Sequence, residues 1–382
     1  MLILPMKIMR QLKKCLLLLT VFILLILASQ IASLWREYTW FKETEAVTDD
    51  PWQKKHWKHV KILTDSLIQM RGSKTILLWT KFFGAPDFIP KLSSLGCPLP
   101  KCSITSDRSF LNKTDAVIFH LRDMDLHDMP AFRMPKQIWI LVHHESPPHT
   151  PDILKNLDGV FNWTATYRFD SEILLTPLVK KRSHPITDMT NYARNKKRMV
   201  VWLVSNCKTP SRREEYVAEL QKYIPVHIYG SCGQYSCLPK MSDECYQKLG
   251  KVYRYYLSFE NSICKDYVTE KLYHVLNTNM VPVVLGGANY SVVAPPHSFI
   301  DALSFKTPRD LAQYLLEIAK DDKRYNQFFA WKQTHELSSE HYACKICRML
   351  NEAKMKSSTY INVSKWWFQE ANCKSWSPLS VS

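Results

Sequence analysis

The chain has 382 residues, of which 46% are hydrophobic and 23% are charged, and its formal net charge is +16. This length is enough for two domains with separate cores, and the composition is ordinary for a globular protein. The basic excess would suit a nucleic acid, an anionic membrane or a phosphorylated small molecule. Because the sequence has no zinc-finger, RNP-type or helix-turn-helix signature, we expect no nucleic-acid partner and favour a phosphate-bearing ligand.

An uncharged apolar run at residues 15–34 is the first segment with a clear structural preference. At about 1.5 Å per helical residue, this run is long enough to cross a bilayer. Basic residues are concentrated before the run, so the positive-inside rule predicts a cytoplasmic tail at 1–14 and a luminal remainder. A cleavable signal peptide is the alternative, but the run is long for one, and we favour a retained signal-anchor.

Ten of the eleven cysteines follow this apolar run. An even number of cysteines in an oxidising lumen predicts disulfides, whose pairing the sequence leaves open. Four of them have spacings that could instead hold zinc through thiolates: Cys97, Cys102, Cys344 and Cys347. The luminal placement favours disulfides over zinc.

Four N-glycosylation sequons agree with a luminal chain. We expect glycans at Asn112, Asn162 and Asn362. A glycan at the fourth sequon, Asn289, would be sterically hindered, because it lies within residues 253–301, whose strand, helix and strand pattern predicts a ligand site.

Residues 35–73 are polar and rich in tryptophan without a strand pattern, and we interpret them as a stem. The near-continuous apolar runs at 74–80, 116–121 and 137–142 then predict strands of a parallel sheet covered on both faces. Open α/β sheets bind ligands at the ends of such strands. The prediction is a first α/β domain over residues 74–185.

Two groups of polar residues follow these strands. Glu145 comes directly after the third strand and is a candidate general base, with a turn-capping role as the alternative. Asp123 and Asp125 form a DxD pattern, which in some sugar-transferring enzymes holds a nucleotide-bound metal. We expect no metal there, since the pattern is short and lies in a loop dense in acidic residues.

The basic, polar segment 180–198 is predicted to join this domain to a second one over residues 186–373. Strands are predicted at 199–204, 226–229, 255–259 and 281–285, and helices are predicted from 211, from 266 and over 308–320. Arg212 and Arg213 fall in the first turn of the helix from 211. Cations are unfavourable there unless an anion is bound, although a solvated arginine pair is an equal alternative.

No Walker or G-x-G-x-x-G loop is present, so a diphosphate would have to be held by side chains such as Arg213 and Lys271, helped by backbone N–H groups. Glu270 could accept hydrogen bonds from sugar hydroxyls, with a surface Glu–Lys pair as the alternative. The absence of a G-x-S-x-G elbow argues against a Ser-His-Asp hydrolase.

Long motifs run through both predicted domains. The second contains F-E-N-S-x-C-x-D-Y-V-T-E-K-L, V-P-V-V-L-G-G-A-N-Y and A-P-P-x-S-F-I-D, and the first contains F-H-x-R-D-M, H-H-E-S-P and F-N-W-T-x-T-Y-R. Over residues 74–373 the chain resembles the eukaryotic α1,3-fucosyltransferases. The G-G-A-N-Y and A-P-P variants are most similar to the invertebrate and plant enzymes that fucosylate the N-glycan core.

The resemblance implies a GT-B fold, in which two Rossmann-like domains face a cleft. The N-terminal domain would take the acceptor and the C-terminal domain would take GDP-fucose. Glu145 would be the general base in a transfer that inverts the configuration of the fucose. No cofactor would be required, and a divalent metal would at most stimulate the reaction.

The resemblance also assigns the donor-binding residues. Arg213 and Lys271 would offset the charge that develops on the diphosphate. Asn261 and Tyr267 would line the phosphate and fucose pocket, and Glu270 would take the ribose hydroxyls.

The chain departs from the family pattern where Phe169 and Leu178 replace a usual arginine and tyrosine near the cleft. This departure bears on acceptor choice and on activity. The predicted function is transfer of L-fucose from GDP-β-L-fucose to the 3-hydroxyl of an N-acetylglucosamine in glycoprotein N-glycans, with the core type favoured. The predicted location is the Golgi membrane, as a single-pass type II protein. The alternatives are a Lewis-type enzyme acting on terminal lactosamine and a catalytically weakened luminal glycan-binding protein.

Overall fold

The structure of the protein is a computed structural model that describes residues 73–85, 97, 102–239, 242–337, 340–352 and 359–378. All of these residues belong to one compact unit that begins at Ser73. The predicted cytoplasmic tail, signal-anchor and nearly all of the stem lie outside the described residues. Within the described ranges, no helix is both long enough and apolar enough to cross a membrane.

The first sheet has six parallel strands in the order β2-β1-β3-β4-β5-β6. They are β1 (Lys74–Leu78), β2 (Cys102–Thr105), β3 (Ala116–His120), β4 (Ile138–Val142), β5 (Trp163–Thr166) and β6 (Ile173–Leu174). Every residue of β3 and β4 is buried, as predicted for a parallel sheet covered on both faces. The three predicted strands are confirmed, whereas the short β2, β5 and β6 were not predicted.

The segment predicted as a joint contains a short strand, β7 (Val179–Lys181). The second sheet follows it, with five parallel strands in the order β12-β11-β10-β8-β9. They are β8 (Arg198–Leu203), β9 (Val226–Tyr229), β10 (Tyr253–Phe259), β11 (Val281–Leu285) and β12 (Ile300–Asp301). A later strand, β13 (His335–Leu337), pairs antiparallel with β7.

Seven α-helices accompany these strands in the described part of the chain. They are α1 (Arg213–Leu220), α2 (Asp243–Gly250), α3 (Glu270–Leu276), α4 (Tyr290–Val293), α5 (Pro308–Ala319), α6 (Asp322–Gln327) and α7 (Tyr342–Asn351). Buried residues of α1 and α5, including Tyr216, Leu220 and Leu315, share a core cluster with β8, β10 and β11.

Two helix starts were predicted too early. Helix α3 begins at Glu270 rather than at Asp266, because Asp266 has a positive φ of 62° that a right-handed helix does not allow. The Thr269 hydroxyl then caps the helix by accepting a hydrogen bond from the N–H of Lys271. Helix α1 begins at Arg213 rather than at residue 211, because Arg212 has a φ of 56°.

The chain after residue 340 returns to the first sheet. Ala343, Ile346 and Leu350 of α7 pack on one face of that sheet, and Val363 and Trp367 pack on the other. The predicted domain division stays a prediction, but its second range, 186–373, includes these segments that cover the first sheet.

Five disulfides join all ten cysteines that follow the apolar run. The pairs are Cys97–Cys344, Cys102–Cys347, Cys207–Cys232, Cys237–Cys245 and Cys264–Cys373. The prediction of disulfides is therefore confirmed, and the alternative zinc site has no free thiolates. The first two pairs connect α7 and the first domain, which fixes the return of the tail.

Both sheets share one topological pattern. In each, the second strand lies at an edge, followed by the first strand and then by the later strands in order. The order reverses between β1 and β3 in the first sheet and between β8 and β10 in the second. Ligands of open α/β sheets bind at the carboxyl ends of strands beside such a switch point. The loops after β8 and β10 are therefore the expected ligand-binding loops of the second sheet.

Candidate active site

A direct hydrogen bond joins the loop after β4 to the loop after β10. The hydroxyl oxygens of Ser146 and Ser262 lie 2.7 Å apart, and both serines are fully buried. Glu145 precedes the first serine and Asn261 precedes the second. The predicted base and the predicted donor pocket are thus held side by side. Sequence analysis missed this serine pair, because its members are 116 residues apart and each looks like an ordinary loop serine.

Glu145 is half-buried at the end of β4, and its carboxylate has no hydrogen-bond donor among the described residues. Its charge affects the pKa of one residue in each sheet region. Burial lowers the pKa of His120 in the first sheet, and the charges of Asp123 and Glu145 oppose this effect. Burial raises the pKa of Tyr267, beyond β10, and the Glu260 and Glu145 charges add to it. Glu145 therefore stays the candidate general base, with a carboxylate that is free to accept a proton.

Arg213 opens α1 at the switch point of the second sheet, and its side chain is 2% exposed. Its guanidinium donates to the carbonyl oxygens of Phe259 at 2.6 Å and Asn206 at 3.2 Å. Its Nε has no partner among the described residues, and none of their carboxylates forms an ion pair with it. Burial lowers the pKa of Arg213, and the Glu260 charge opposes this effect. A buried guanidinium without a counter-ion can receive an anion.

Arg212 is the opposite case. Its guanidinium is exposed and pairs with Glu215 one turn along the helix. The alternative of a solvated arginine pair therefore fits Arg212 and does not fit Arg213.

Lys271 lies in the first turn of α3, where three oxygen-bearing side chains surround its ammonium group. Its Nζ lies 3.0 Å from Glu270 Oε1, 3.4 Å from Glu260 Oε2 and 2.8 Å from the Thr269 hydroxyl. Burial alone would lower the pKa of Lys271, but the Glu260 and Glu270 charges outweigh it and raise the pKa. Burial would likewise raise the pKa of Glu270, but the Lys271 charge lowers it. The pair is more than a surface contact, because Lys271 also reaches the buried Glu260.

Glu260 is a third residue that the sequence analysis did not single out. Its side chain is 1% exposed, and its carboxylate accepts from the N–H of Thr269 at 2.9 Å and from the Thr269 hydroxyl. Burial raises the pKa of Glu260, although the Lys271 charge opposes the shift. Glu260 positions the start of α3 and the ammonium of Lys271. Its position directly after a buried strand was the sequence feature that could have identified it as a candidate site residue.

Asn261 and Tyr267 lie in the loop between β10 and α3. The carbonyl of Asn261 accepts from the N–H of Ser211 at 2.9 Å, which ties together the two loops of the switch point. The ring of Tyr267 packs edge-on against Tyr167, with the centroids 4.8 Å apart. Tyr167 follows β5, so this contact also joins the two sheets.

The C-terminal tail closes over the same loops. The N–H of Lys265 donates to Ala371, and the N–H of Lys374 donates to Ile263, at 2.7 and 2.8 Å. The N–H of Trp376 reaches the carbonyl of Ser211, and the Cys264–Cys373 disulfide locks the contact. The tail therefore stabilises both loops that carry the predicted donor-binding residues.

A cavity of about 330 Å³ lies between the two sheets. The first sheet contributes residues that follow β4, β5 and β6, such as His144, Tyr167 and Pro177, and the second contributes residues 268–277. Among the predicted catalytic and donor-binding residues, all of them described, Glu270 is the one in its wall.

The DxD carboxylates already have hydrogen-bond partners in the protein. Asp123 accepts from the N–H groups of Phe83 and Gly84 at 2.8 and 3.0 Å, and it lies 2.5 Å from Nδ1 of His120. Asp125 accepts from the N–H of His127 and begins a short 3₁₀ turn. No cluster of three metal-binding side chains occurs among the described residues.

The sequons differ in accessibility. Asn112, Asn289 and Asn362 are exposed. Asn162 is 4% exposed and its Oδ1 accepts from the N–H of Trp139 inside the fold, so the glycan there stays a prediction that this burial disfavours.

Comparisons with known proteins show which family the chain resembles. Residues 71–177 match the family described as "Fucosyltransferase, N-terminal", and residues 193–366 match "Glycosyltransferase family 10 (fucosyltransferase) C-term". The chain is 33% identical to "Alpha-(1,3)-fucosyltransferase C" of Drosophila melanogaster over 80% of each protein. It is 38% identical to "Glycoprotein 3-alpha-L-fucosyltransferase A" of the same organism, over 73% of this chain and 57% of that protein.

A human protein and a solved structure also match. The chain is 37% identical to the human "4-galactosyl-N-acetylglucosaminide 3-alpha-L-fucosyltransferase FUT6", over 72% of this chain and 79% of that protein. The crystal structure of an "alpha1,3-Fucosyltransferase with GDP-fucose" is 15% identical with a TM-score of 0.47, over 75% of this chain and 92% of that one. The two family matches and the identity to the Drosophila proteins show that the chain belongs to glycosyltransferase family 10, the fucosyltransferases.

Proposed function

We propose that this chain transfers L-fucose from GDP-β-L-fucose to the 3-hydroxyl of an N-acetylglucosamine. The observation that carries the proposal is the buried hydrogen bond between Ser146 and Ser262. It holds an unengaged carboxylate, Glu145, beside a loop system that presents two cations, Arg213 and Lys271. Proton removal and diphosphate departure are the two demands of such a transfer, and each has a matching group.

Each group has a defined part in the proposed reaction. Glu145 accepts the proton of the acceptor hydroxyl as its oxygen attacks the anomeric carbon of fucose. The bond from that carbon to the diphosphate breaks on the opposite face, its electrons leave with GDP, and the configuration inverts. Arg213 and Lys271 offset the negative charge that develops on the leaving diphosphate. Asn261 and Tyr267 line the phosphate and fucose pocket, and Glu270 accepts from the ribose hydroxyls. GDP-fucose is a substrate, and the proposal includes no cofactor.

We assign the two sheets to a GT-B arrangement with the acceptor on the first sheet and the donor on the second. Their shared strand order and their joined loops support this assignment. The five disulfides support an oxidising compartment, in keeping with the proposed Golgi membrane location of a type II protein with its catalytic part in the lumen.

The favoured acceptor is the core N-acetylglucosamine of a glycoprotein N-glycan, on the basis of the G-G-A-N-Y and A-P-P sequence variants. A Lewis-type reaction on terminal lactosamine is the second candidate, since the matched relatives include proteins named for 4-galactosyl-N-acetylglucosaminide. Phe169 and Leu178, the two departures from the family pattern, are 39% and 46% exposed and are thus accessible to an acceptor.

The test is to incubate the full-length protein in detergent with GDP-fucose and either a core N-glycan glycopeptide or a lactosamine. We expect fucose on the glycopeptide. Transfer to the lactosamine alone would support the Lewis-type alternative. Binding of GDP without transfer to either acceptor would contradict the proposed transferase activity and support a glycan-binding role.

A further inference from the structure

The cavity between the two sheets has a wall unsuited to a diphosphate. Among the described residues that line it, none is a lysine or an arginine. His144 is neutral at physiological pH, since burial lowers the pKa of its imidazole to about 4. The carboxylate of Glu270 lines the wall, but it is paired with Lys271 at 3.0 Å. The described residues of the wall therefore offer no lysine or arginine that would bind a diphosphate, and a neutral ligand is favoured.

The wall nevertheless contains polar atoms that lack partners. The hydroxyl of Tyr167 and Nδ1 of His144 are buried and make no hydrogen bond with any described residue. The Tyr273 hydroxyl is also buried without a hydrogen bond of normal geometry, although Thr176 lies near it. The two tyrosines are only 2% and 4% exposed. Buried polar groups in native proteins are normally paired, so unpaired ones around a cavity point to a missing ligand.

The rest of the wall is apolar. Leu175, Pro177 and Val268 contribute carbon surfaces, and the two tyrosines contribute rings. Such a surface suits the C–H face of a sugar ring or a methyl group. The volume of about 330 Å³ is near the lower end of the range for ligand pockets.

The cavity also adjoins the proposed reaction centre. His144 directly precedes Glu145, and the ring of Tyr167 contacts Tyr267 with the centroids 4.8 Å apart. A ring in this cavity would thus lie beside the residue that precedes the proposed base, and Tyr167 links the cavity wall to Tyr267 in the donor loop.

We propose that this cavity is a subsite for one neutral sugar ring that carries a methyl group, and that the hydroxyls of Tyr167 and Tyr273 determine its specificity. This inference rests on the proposed function. Two sources share the required chemistry: the fucosyl ring of the donor, with its 6-methyl group, and the N-acetylglucosamine of the acceptor, with its acetamido methyl group.

The test uses the full-length protein with Tyr167→Phe and Tyr273→Phe, which keep the rings and remove the hydroxyls. The measurements are the affinities for GDP and GDP-fucose by calorimetry and the KM for the acceptor. We expect a loss of about tenfold per hydrogen bond in one of these constants. A weaker affinity for GDP-fucose with unchanged affinity for GDP identifies the fucosyl ring. A raised acceptor KM with unchanged donor affinities identifies the acceptor sugar.

Tyr223→Phe is the matched control, because its hydroxyl bonds to Glu219 on the surface beyond α1. Leu175→Phe, which fills part of the cavity without touching a hydroxyl, should change the same constant as the two tyrosine variants. The subsite is refuted if the affinities for GDP and GDP-fucose, the acceptor KM and kcat of all three cavity variants stay within twofold of wild type at unchanged Tm. Failure of the wild-type protein itself to transfer fucose would instead refute the proposed function.

Discussion

The two sheets have the same strand order, but their switch points carry different chemistry. In the second sheet, Arg213 and Lys271 place two cations at the ends of β8 and β10. In the first sheet, His120 packs against Phe82 and Phe83, with ring centroids 4.2 and 4.9 Å apart, and its imidazole contacts Asp123. The switch point of the second sheet thus presents two cations, whereas that of the first is lined by aromatic rings and the carboxylate of Asp123. Strands in the same order can therefore present side chains of opposite charge.

The largest expected effect is that of removing the proposed base. Glu145→Gln should lower kcat by about 10²–10⁴-fold, because the acceptor proton loses its recipient. The affinity for GDP should not change, since the cations proposed to bind the diphosphate follow strands of the other sheet. Initial rates and calorimetry on the same preparation measure both quantities. Glu317→Gln, an exposed carboxylate on α5, is the control. Turnover of Glu145→Gln near the wild-type rate would mean that the base is assigned wrongly.

The next largest effect separates the two adjacent arginines. Arg213→Gln should weaken GDP binding by about 10- to 150-fold, the value of a hydrogen bond to a charged group. Arg212→Gln should leave the affinity within about twofold, because Arg212 is exposed and its pair with Glu215 contributes little. Calorimetry measures the affinities, and Tm checks the fold. Equal losses in the two variants would contradict the assignment of the buried guanidinium as the anion site.

A smaller effect tests the joint between the two sheets. Ser146→Ala and Ser262→Ala should each lower the free energy of unfolding by about 1–3 kcal/mol, because each leaves a buried hydroxyl unpaired. The double variant should lose less than the sum of the two, since neither hydroxyl then remains. Urea unfolding of the four proteins measures this coupling. Strictly additive losses would show that the hydrogen bond does not join the loops.

The smallest effect concerns acid stability at the first switch point. Burial alone would raise the pKa of Asp123, but hydrogen bonds from His120 and from the N–H groups of Phe83 and Gly84 lower it. A lowered folded pKa stabilises the protein above the unfolded value of about 3.9. This stabilisation, at most about 1 kcal/mol, disappears as the pH falls below that value. In Asp123→Asn, the free energy of unfolding should therefore fall less steeply than in the wild type as the pH is lowered from 6 to 3. An unchanged slope would contradict the account.

Residues with a strong local signal could be predicted from the sequence. The buried strands β3 and β4 were found because a parallel sheet covered on both faces needs continuous apolar runs. Glu145 and Lys271 stay predicted site residues, since the pattern placed them after a strand and in a helix and the resemblance assigned their roles. The start of α3 was missed because the apolar spacing continues through Val268, while the positive φ of Asp266 is set by the folded loop.

Features that depend on distant residues could not be predicted. Ser146 and Ser262 meet only after both sheets have formed, and the pairing of Cys264 with Cys373 spans 109 residues. The burial of Asn162 was hidden because a sequon does not show which way its side chain points. The cavity likewise combines the ends of three strands and one helix face, which no short motif encodes.

The proposed inverting fucosyltransferase site joins Glu145, after β4, to the cations that follow β8 and β10, and the structure of the reaction product tests this proposal most directly. The full-length protein would be incubated with GDP-β-L-fucose and a core N-glycan glycopeptide, and the product would be analysed by NMR. We predict an α-linked fucose on the 3-hydroxyl of the core N-acetylglucosamine. A β-linked fucose, a linkage at another hydroxyl, or GDP binding without any product would contradict it.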